Sequence, residues 1–396
     1  MNNTFRMGQL KDIIEFNNGK AIKKNGGSIP IFGGNGVLGY CSKHNYENTL
    51  IIGRVGAYCG SVHISNNKCW VSDNAIAALP KESSSNLYNY YLLTSLNLNA
   101  LRIGSSQPLL TQGILKNVSV KIEFDKVKQK NLASILAALD EKIELNNQIN
   151  TELEAMAKTL YEYWFVQFDF PNVDGKPYKS TGGKMVYNET LKQEIPEKWK
   201  ACELGDYIEF KRGISYKGTD IKDNGVPFLN LNSFSLSGQF KLAGTKYFSG
   251  NFKKESKLNV GDLVIAITDV TRNADITGKA FVIPDIFEEQ PLISCDVAAV
   301  FSETFTVGYL EQLFNSDSYH SYIKNYATGT LVLHLNLNGV SWFKTTLPPM
   351  TLLNRYEDYC KSLFKQRNIT LKENIHLEEL RDWLLPMLMN GQVTVS

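Results

Sequence analysis

Apolar residues recur every three or four positions over residues 125 to 168, with charged residues between them. The stripe runs through Leu132, Leu136, Leu139, Ile143 and Leu153, and the stretch contains neither Gly nor Pro. This spacing predicts a long amphipathic helix that packs against a second helix. At about 1.5 Å per residue the helix would be about 60 Å long, which favours a spacer over one element of a small domain.

A second stretch with helical spacing covers residues 351 to 389, and it ends near Pro386 and Gly391. Asp125 and Thr351 each follow a short extended segment, so both are predicted to cap their helices. Two such helices, one central and one terminal, predict an antiparallel coiled coil. The alternative is that each helix packs only on its own domain.

The rest of the chain has the pattern of β-rich domains. Short runs of β-branched and aromatic residues, punctuated by Gly and Asn, occupy residues 7 to 122 and resume after a Pro- and Gly-containing segment that begins near Pro171. Such runs predict short strands joined by turns.

The two β-rich stretches share sequence. Leu10 and Leu204 match at an offset of 194, Pro30 and Pro227 at 197, and Gly113 and Gly339 at 226. Because the offset only grows along the chain, a tandem duplication with insertions in its second copy is indicated. The predicted fold is therefore α+β: two β-rich domains separated by two long helices with pseudo-two-fold symmetry. The predicted boundaries are 1–124, 125–168, 169–350 (linker and second domain) and 351–396.

Charge is unevenly distributed along the chain. Residues 1 to 122 hold twelve basic and five acidic residues, a net charge of +7, whereas residues 123 to 170 hold five and nine, a net charge of −4. A basic domain on an acidic helix is compatible with nucleic acid on the former and protein on the latter. A pseudo-dimer of two unlike domains would suit an asymmetric, two-part DNA target.

Composition and motifs argue against several other classes. There is no signal peptide and no run of about eighteen apolar residues, so a cytoplasmic protein with no membrane contact is expected. The six cysteines are scattered and predict free thiols. The FGGNG sequence at residues 32 to 36 is interpreted as a turn between strands, and no phosphate loop, metal pattern or methyltransferase motif accompanies it. We expect a chain that is not an enzyme by itself and holds no metal or cofactor.

The chain resembles the specificity subunits of type I restriction–modification enzymes. The resemblance rests on the paired LxDxIEF starts, IPIFGGNGVLGY, LIIGRVGAYCGSV with CWVSDNAI, YEYWFVQFDFPNVDGKPYKSTGGKM and LRDWLLPMLMNGQV. It implies two target-recognition domains that each read one part of a split sequence in double-stranded DNA. It also implies docking to two modification subunits, which methylate adenine with S-adenosylmethionine, and to restriction subunits, which use ATP and Mg²⁺.

Candidate DNA-binding residues are forked donors, amides, hydroxyls and cations near turns, since these groups read base edges and phosphates. In the first domain they are Lys23, Lys24, Asn35, Tyr40, Lys43, Arg54, Asn74, Ser105, Ser106 and Gln107. In the second they are Arg212, Tyr216, Lys217, Asn230, Asn232, Arg272, Asn273, Thr328, Thr330 and His334. Arg54 and Arg272 are the leading candidates, because each follows an apolar strand into a polar turn.

Apolar residues near the helix ends are candidates for partner binding: Tyr161, Trp164, Phe165, Trp383, Leu384 and Met387. They could instead pack on the domains or the linker. Two other functions stay open at this point: a scaffolding module with no role in DNA binding, and a specificity chain for a fused restriction–modification polypeptide.

Overall fold

A computed structural model describes residues 5–104, 109–271 and 273–393. The chain forms two compact units, one of Met1–Leu145 with Asn374–Ser396 and one of Asn146–Glu373. Both boundaries fall inside the two long helices. We refer to these as the first and second units.

The first unit is built on a six-stranded sheet of order β2-β7-β5-β6-β3-β4, with β1 and β8 paired separately. Its strands are β1 (Phe5–Gln9), β2 (Ile14–Asn18), β3 (Ile29–Gly33), β4 (Gly36–Cys41), β5 (Tyr46–Gly53), β6 (Val62–Val71), β7 (Ala75–Pro80) and β8 (Ser119–Glu123). Its helices are α1 (Leu10–Ile13), α2 (Asn86–Ser95), α3 (Gln112–Lys116) and the beginning of α4 (Lys126–Tyr161). The β-rich prediction for this part of the chain is confirmed.

The second unit has several smaller sheets, and its central one has the order β12-β20-β16-β18. Its strands are β9 (Met185–Asn188), β10 (Gln193–Pro196), β11 (Lys200–Glu203), β12 (Glu209–Arg212), β13 (Ile221–Lys222), β14 (Val226–Leu229), β15 (Lys246–Phe248), β16 (Leu263–Ala266), β17 (Thr268–Asp269), β18 (Ala280–Val282), β19 (Leu292–Ile293), β20 (Val297–Phe301), β21 (Ala327–Thr328), β22 (Leu333–Leu335) and β23 (Lys344–Leu347). Its helices are α5 (Val307–Asn315), α6 (Asp317–Ile323), α7 (Leu337–Ser341) and most of α8 (Met350–Met389).

Strand registers correspond between the units. Phe16 pairs with Ala78 across β2 and β7, and Phe210 pairs with Val300 across β12 and β20. One glycine at the end of β2 and one just after β12 make the same close approach. A Cβ on Gly19 would lie 1.8 Å from the Ser72 carbonyl oxygen, and one on Gly213 would lie 2.1 Å from that of Ser294. Only glycine fits there, which explains why this residue recurs in both sequence segments.

The long central helix is confirmed. Helix α4 continues into a π-helical turn at Glu162–Val166. The Asp125 carboxylate accepts from the backbone N–H groups of Val127 (2.9 Å) and Lys128 (3.3 Å), as expected of a cap.

The predicted cap of the terminal helix is wrong. Helix α8 begins at Met350, so Thr351 lies inside it, and the first N–H donations, from Leu352 and Leu353, go to the Pro349 carbonyl. Proline favours the start of a helix because its fixed φ suits the first turn. Pro386 does not end the helix, which continues to Met389.

Each unit pairs its own segments of α4 and α8. In the second unit Asn146 donates to Glu373 at 2.8 Å, Thr370 bonds to the Asn150 side chain, and Tyr356 donates to the Ala157 carbonyl at 2.9 Å. Residue numbers rise in one helix as they fall in the other, so these segments run antiparallel. In the first unit Arg381 donates to Asp140 at 3.1 Å, and Leu388 is buried with Leu132 and Leu136 in one hydrophobic cluster.

The helix contacts differ in burial between the units. In the second unit Arg367 is 4% exposed and lies 3.8 Å from Glu154 and 3.7 Å from Glu311. Burial raises the pKa of Glu154 to about 7, against the opposing effect of Arg367. In the first unit the side chains of Arg381 and Asp140 are about one third exposed. The pairing in the second unit therefore contains a largely buried group of ionisable side chains, whereas the pairing in the first unit contains a partly exposed ion pair.

Candidate nucleic-acid interface

Arg54 is held at the end of a buried strand in the first unit. It directly follows β5, its N–H donates to the Asn74 carbonyl at 3.0 Å, and its own carbonyl accepts from the Leu110 N–H at 2.9 Å. These two bonds fix the backbone of Arg54, whose side chain is half-buried. Its Nε is buried without a hydrogen-bond partner among the residues that the structure describes. A buried donor in this state is costly unless a ligand or water meets it.

Asn35 lies in the turn between β3 and β4, and this turn packs next to the end of β5, where Arg54 follows. The Gly34 carbonyl contacts the His63 ring nitrogen Nε2 at 3.0 Å, and a Cβ on Gly34 would lie 3.2 Å from the Gly53 Cα. The turn therefore packs against the end of β5. We call Asn35, Arg54 and Asn74 the first reading edge. Both asparagines are exposed.

The remaining candidate DNA-binding residues of the first domain lie outside the first reading edge. Lys24 lays its aliphatic stem over Gly39, beside the half-exposed ring of Tyr40. Lys23 and Lys43 are exposed residues outside the strands, and none of their described contacts joins them to the first reading edge. Ser105, Ser106 and Gln107 lie outside the described residues.

The second unit builds the same backbone arrangement with different residues. Ile267 donates its N–H to the Asp296 carbonyl at 2.9 Å and accepts from the Leu335 N–H at 2.9 Å. These are the bonds that Arg54 makes to Asn74 and Leu110. Arg272 was selected together with Arg54 because each follows an apolar strand into a polar turn, but the hydrogen bonds put Ile267, which is 3% exposed, at the position of Arg54. Arg272 itself lies outside the described residues.

Polar side chains next to Ile267 form what we call the second reading edge, defined as Thr268, Asp296 and His334. Thr268 donates to the Asp296 carboxylate at 2.9 Å and pairs through its backbone with His334. His334 and Thr328 pair within the β21–β22 hairpin, and His334, Thr328 and Thr330 are exposed.

Asp269 anchors the loop that carries Asn273. Its buried carboxylate accepts from the backbone N–H groups of Thr271 at 2.6 Å, Ile276 at 2.7 Å and Thr277 at 2.9 Å. Asn273 is exposed on this loop. The sequence analysis missed Asp269, although an acidic residue directly after an apolar strand was the available signal.

Other candidates of the second domain have structural roles. Asn230 is 4% exposed, donates to the Gly244 carbonyl at 2.9 Å and accepts from the Asn232 N–H at 3.0 Å, so its prediction as a DNA contact is corrected. Tyr216 is half-buried with its ring 4.9 Å from that of Phe228. Arg212, Lys217 and Asn232 are exposed and stay candidates.

The predicted partner-binding residues divide into two groups. Tyr161, Trp164 and Phe165 are buried in the core of the second unit, so they stabilise the fold and offer no accessible surface. The alternative of packing on a domain accounts for these three. Trp383 is 58% exposed, whereas Leu384 and Met387 are half-buried on the same helix.

Residues 5–104, 109–271 and 273–393 contain no group of three or more His, Cys, Asp or Glu side chains placed to hold a metal ion. Within the same residues, no helix combines the length and apolar character needed to cross a membrane.

Known proteins resemble this chain over most of its length. Residues 2–155 match the family model described as "Type I restriction modification DNA specificity domain". The MjaIX specificity subunit of Methanocaldococcus jannaschii is 24% identical over 90% of this chain and 80% of its own length. The HindI specificity subunit of Haemophilus influenzae is 25% identical over 72% of this chain and 71% of its own.

A solved structure supports the fold. The type I restriction–modification S subunit from M. genitalium superposes with a TM-score of 0.59 at 16% identity, covering 97% of this chain and 96% of that one. The family match and the relatives confirm the resemblance, found in the sequence, to the specificity subunits of type I restriction–modification enzymes.

Proposed function

We propose that this chain selects the DNA target of a type I restriction–modification complex, and that each unit reads one part of a split, asymmetric sequence. The observation that carries the proposal is one backbone arrangement built twice with unlike side chains, Arg54 with Asn74 in one unit and Ile267 with Asp296 in the other. Base edges are distinguished by their donors and acceptors. Edges of different chemistry would therefore prefer different bases.

The first reading edge suits a different set of bases from the second. A guanidinium donates to the O6 and N7 atoms of guanine, and an amide pairs with adenine. Arg54 and Asn35 would supply these groups. In the second reading edge the Asp296 carboxylate, which Thr268 holds in place, would accept from the cytosine amino group. The exposed hydroxyl of Thr328, paired with His334 in the adjoining hairpin, suits either role.

The two units are proposed to be copies of one duplicated domain, joined by an antiparallel coiled coil that sets the gap between the half-sites. Matching strand registers and the matching close approaches of Gly19 and Gly213 support the duplication. Opposite residue order in the paired segments of α4 and α8 supports the coiled coil.

Chemistry is assigned to partner subunits. Modification subunits would methylate adenine with S-adenosylmethionine, and restriction subunits would cut DNA with ATP and Mg²⁺. Trp383 offers an accessible apolar side chain for docking one of these subunits. The methyl transfer requires an extruded adenine, which the modification subunit would hold.

Mapping of methylated adenine tests the reading role. DNA from cells that express the chain with its modification subunit should carry a split motif methylated on both strands. The chain alone, incubated with DNA and labelled S-adenosylmethionine, should transfer no methyl group. A continuous motif, or methylation by the isolated chain, would contradict the proposal.

A matched insertion tests the spacer. Seven residues added between positions 145 and 146 of α4, and seven between positions 373 and 374 of α8, preserve a heptad repeat and add about 10 Å of helix. Since base pairs are about 3.4 Å apart, the gap should lengthen by about three base pairs while both half-sites stay the same. An unchanged gap would remove the spacer role.

A further inference from the structure

Four exposed apolar side chains border Arg54 in the first unit, and we call them the apolar rim: Leu38, Val55, Tyr58 and Ile103. They are 37%, 39%, 53% and 55% exposed, respectively. Single exposed apolar residues are common on protein surfaces, but a group of them at one place marks an interaction site. The apolar rim therefore indicates a binding partner that carries an apolar group.

Close packing brings the rim residues onto adjoining segments. A Cβ on Gly33 would lie 2.6 Å from Leu38 Cδ1, and one on Gly34 would lie 3.3 Å from Tyr58 Cβ. Leu38 and Tyr58 thus pack beside consecutive glycines of the β3–β4 turn. Val55 follows Arg54 directly, and both Val55 and Ile103 form antiparallel bridges with Leu109.

Charge points to an anionic partner for this apolar group. Arg54 directly precedes the rim residue Val55, its buried Nε is unpartnered in the described part of the chain, and residues 1 to 122 carry a net charge of +7. An apolar protein partner would supply no anionic group to pair with this positive charge. The phosphates of duplex DNA neutralise the positive charge. The base edges in its major groove also carry one apolar group, the C5-methyl group of thymine.

We propose that the apolar rim packs against thymine C5-methyl groups in the half-site that the first unit reads. Arg54, which directly precedes Val55, bonds a neighbouring base edge or phosphate. The inference rests on the proposed DNA-reading function and adds the chemistry of one contact. It assigns a specificity role to Leu38, Val55, Tyr58 and Ile103, which the sequence analysis did not select.

Replacing thymine by deoxyuridine in the first half-site tests the contact, because uracil lacks only the methyl group. The complex of the full chain with its modification subunit should bind the uracil duplex about fourfold more weakly for each methyl group contacted. This measurement uses the unaltered protein, so it does not depend on whether a variant folds.

A variant carrying Leu38→Ala and Tyr58→Ala locates the contact on the rim. It should bind the thymine duplex more weakly, and the ratio of its affinities for thymine and uracil duplexes should fall toward one. Met7→Ala is the matched control, since Met7 is 66% exposed on β1 of the same unit. It should keep the ratio of the parent complex.

The outcomes separate this inference from the proposed function. Failure of the parent complex to bind its mapped target would contradict the function itself. Specific binding with equal affinity for thymine and uracil duplexes would overturn the rim contact alone. An unchanged ratio in the double variant would also overturn it, as would loss of subunit assembly with normal DNA binding, because the rim would then contact a protein.

Discussion

In the first unit the residue that leaves the buried strand β5 is Arg54, whereas in the second unit the same backbone position holds Ile267. Both residues donate to a carbonyl on one side and accept from an N–H on the other, so the scaffold is shared. Only one of them is a cation, and the other is buried. The same backbone position therefore carries a cation in one unit and a buried apolar residue in the other, with the same backbone hydrogen bonds.

The helix pairings show a second contrast between the units. Arg367 is buried between two carboxylates in the second unit, while Arg381 forms a half-exposed ion pair in the first. A buried charge that loses its partner costs far more than an exposed one. Removing the arginine from the α4–α8 pairing should therefore destabilise the second unit more than the first.

Arg367→Met should have the largest effect on stability. It leaves the buried carboxylate of Glu311 and the partly buried carboxylate of Glu154 uncompensated, and we expect a loss of about 3 to 5 kcal/mol in the free energy of unfolding. Arg381→Met is the matched variant and should cost about 1 kcal/mol or less. Chemical denaturation of both variants measures the difference. Equal losses of unfolding free energy in the two variants would contradict the expected difference between the buried and the partly exposed pairing.

Gly19→Ala and Gly213→Ala should each destabilise the protein by about 3 kcal/mol, because the new methyl group meets a backbone carbonyl. Gly218→Ala is the control, since no atom lies within 4 Å of its Cβ position. Thermal unfolding of the three variants compares them. A strong effect at only one of the first two positions would break the correspondence between the units.

Arg54→Ala should weaken DNA binding through the first half-site by about 1 to 3 kcal/mol if the guanidinium reads a base. Lys121→Ala removes one charge from an exposed position on β8 of the same unit and serves as the control. Competition binding with duplexes altered in one half-site at a time gives the result. Unchanged affinity and target would remove Arg54 from the first reading edge.

Glu154 should make the stability of the protein depend on pH. Its pKa rises from 4.5 to about 7 on folding, so the folded state holds more protons than the unfolded state between these values. The stabilisation is present below about pH 4.5 and is lost as the pH rises through 7. Glu154→Gln should flatten this part of the profile. Melting temperatures from pH 5 to 8 that fall equally in both proteins would point to another group.

The sequence predicted those features that depend on local pattern. The long helix and its Asp125 cap follow from apolar spacing and a capping residue, and both are confirmed. The cap at Thr351 failed because two prolines just before it start the helix earlier. Trp164 and Phe165 suggested a docking surface, since a helix pattern does not reveal what covers each face; the second unit's core covers them.

The reading edges could be predicted only in part. Asn35 and Arg54 were selected because they sit in polar turns next to apolar runs, and both stay predictions. Ile267 stands 213 positions after Arg54, the same offset that separates Leu263 from Leu50, but Arg272 was favoured because a cation in a polar turn was sought. Asn230 has the composition of a DNA contact, but its amide is used within the fold.

The most direct test of the two-reader account is a map of methylated adenine from cells expressing the modification subunit with either the parent chain or Arg54→Gln. We expect a split motif for the parent chain. For the variant we expect relaxed or altered bases in one half-site, with the other half-site and the gap unchanged. Alteration of both half-sites together, or a continuous motif for the parent chain, would contradict it.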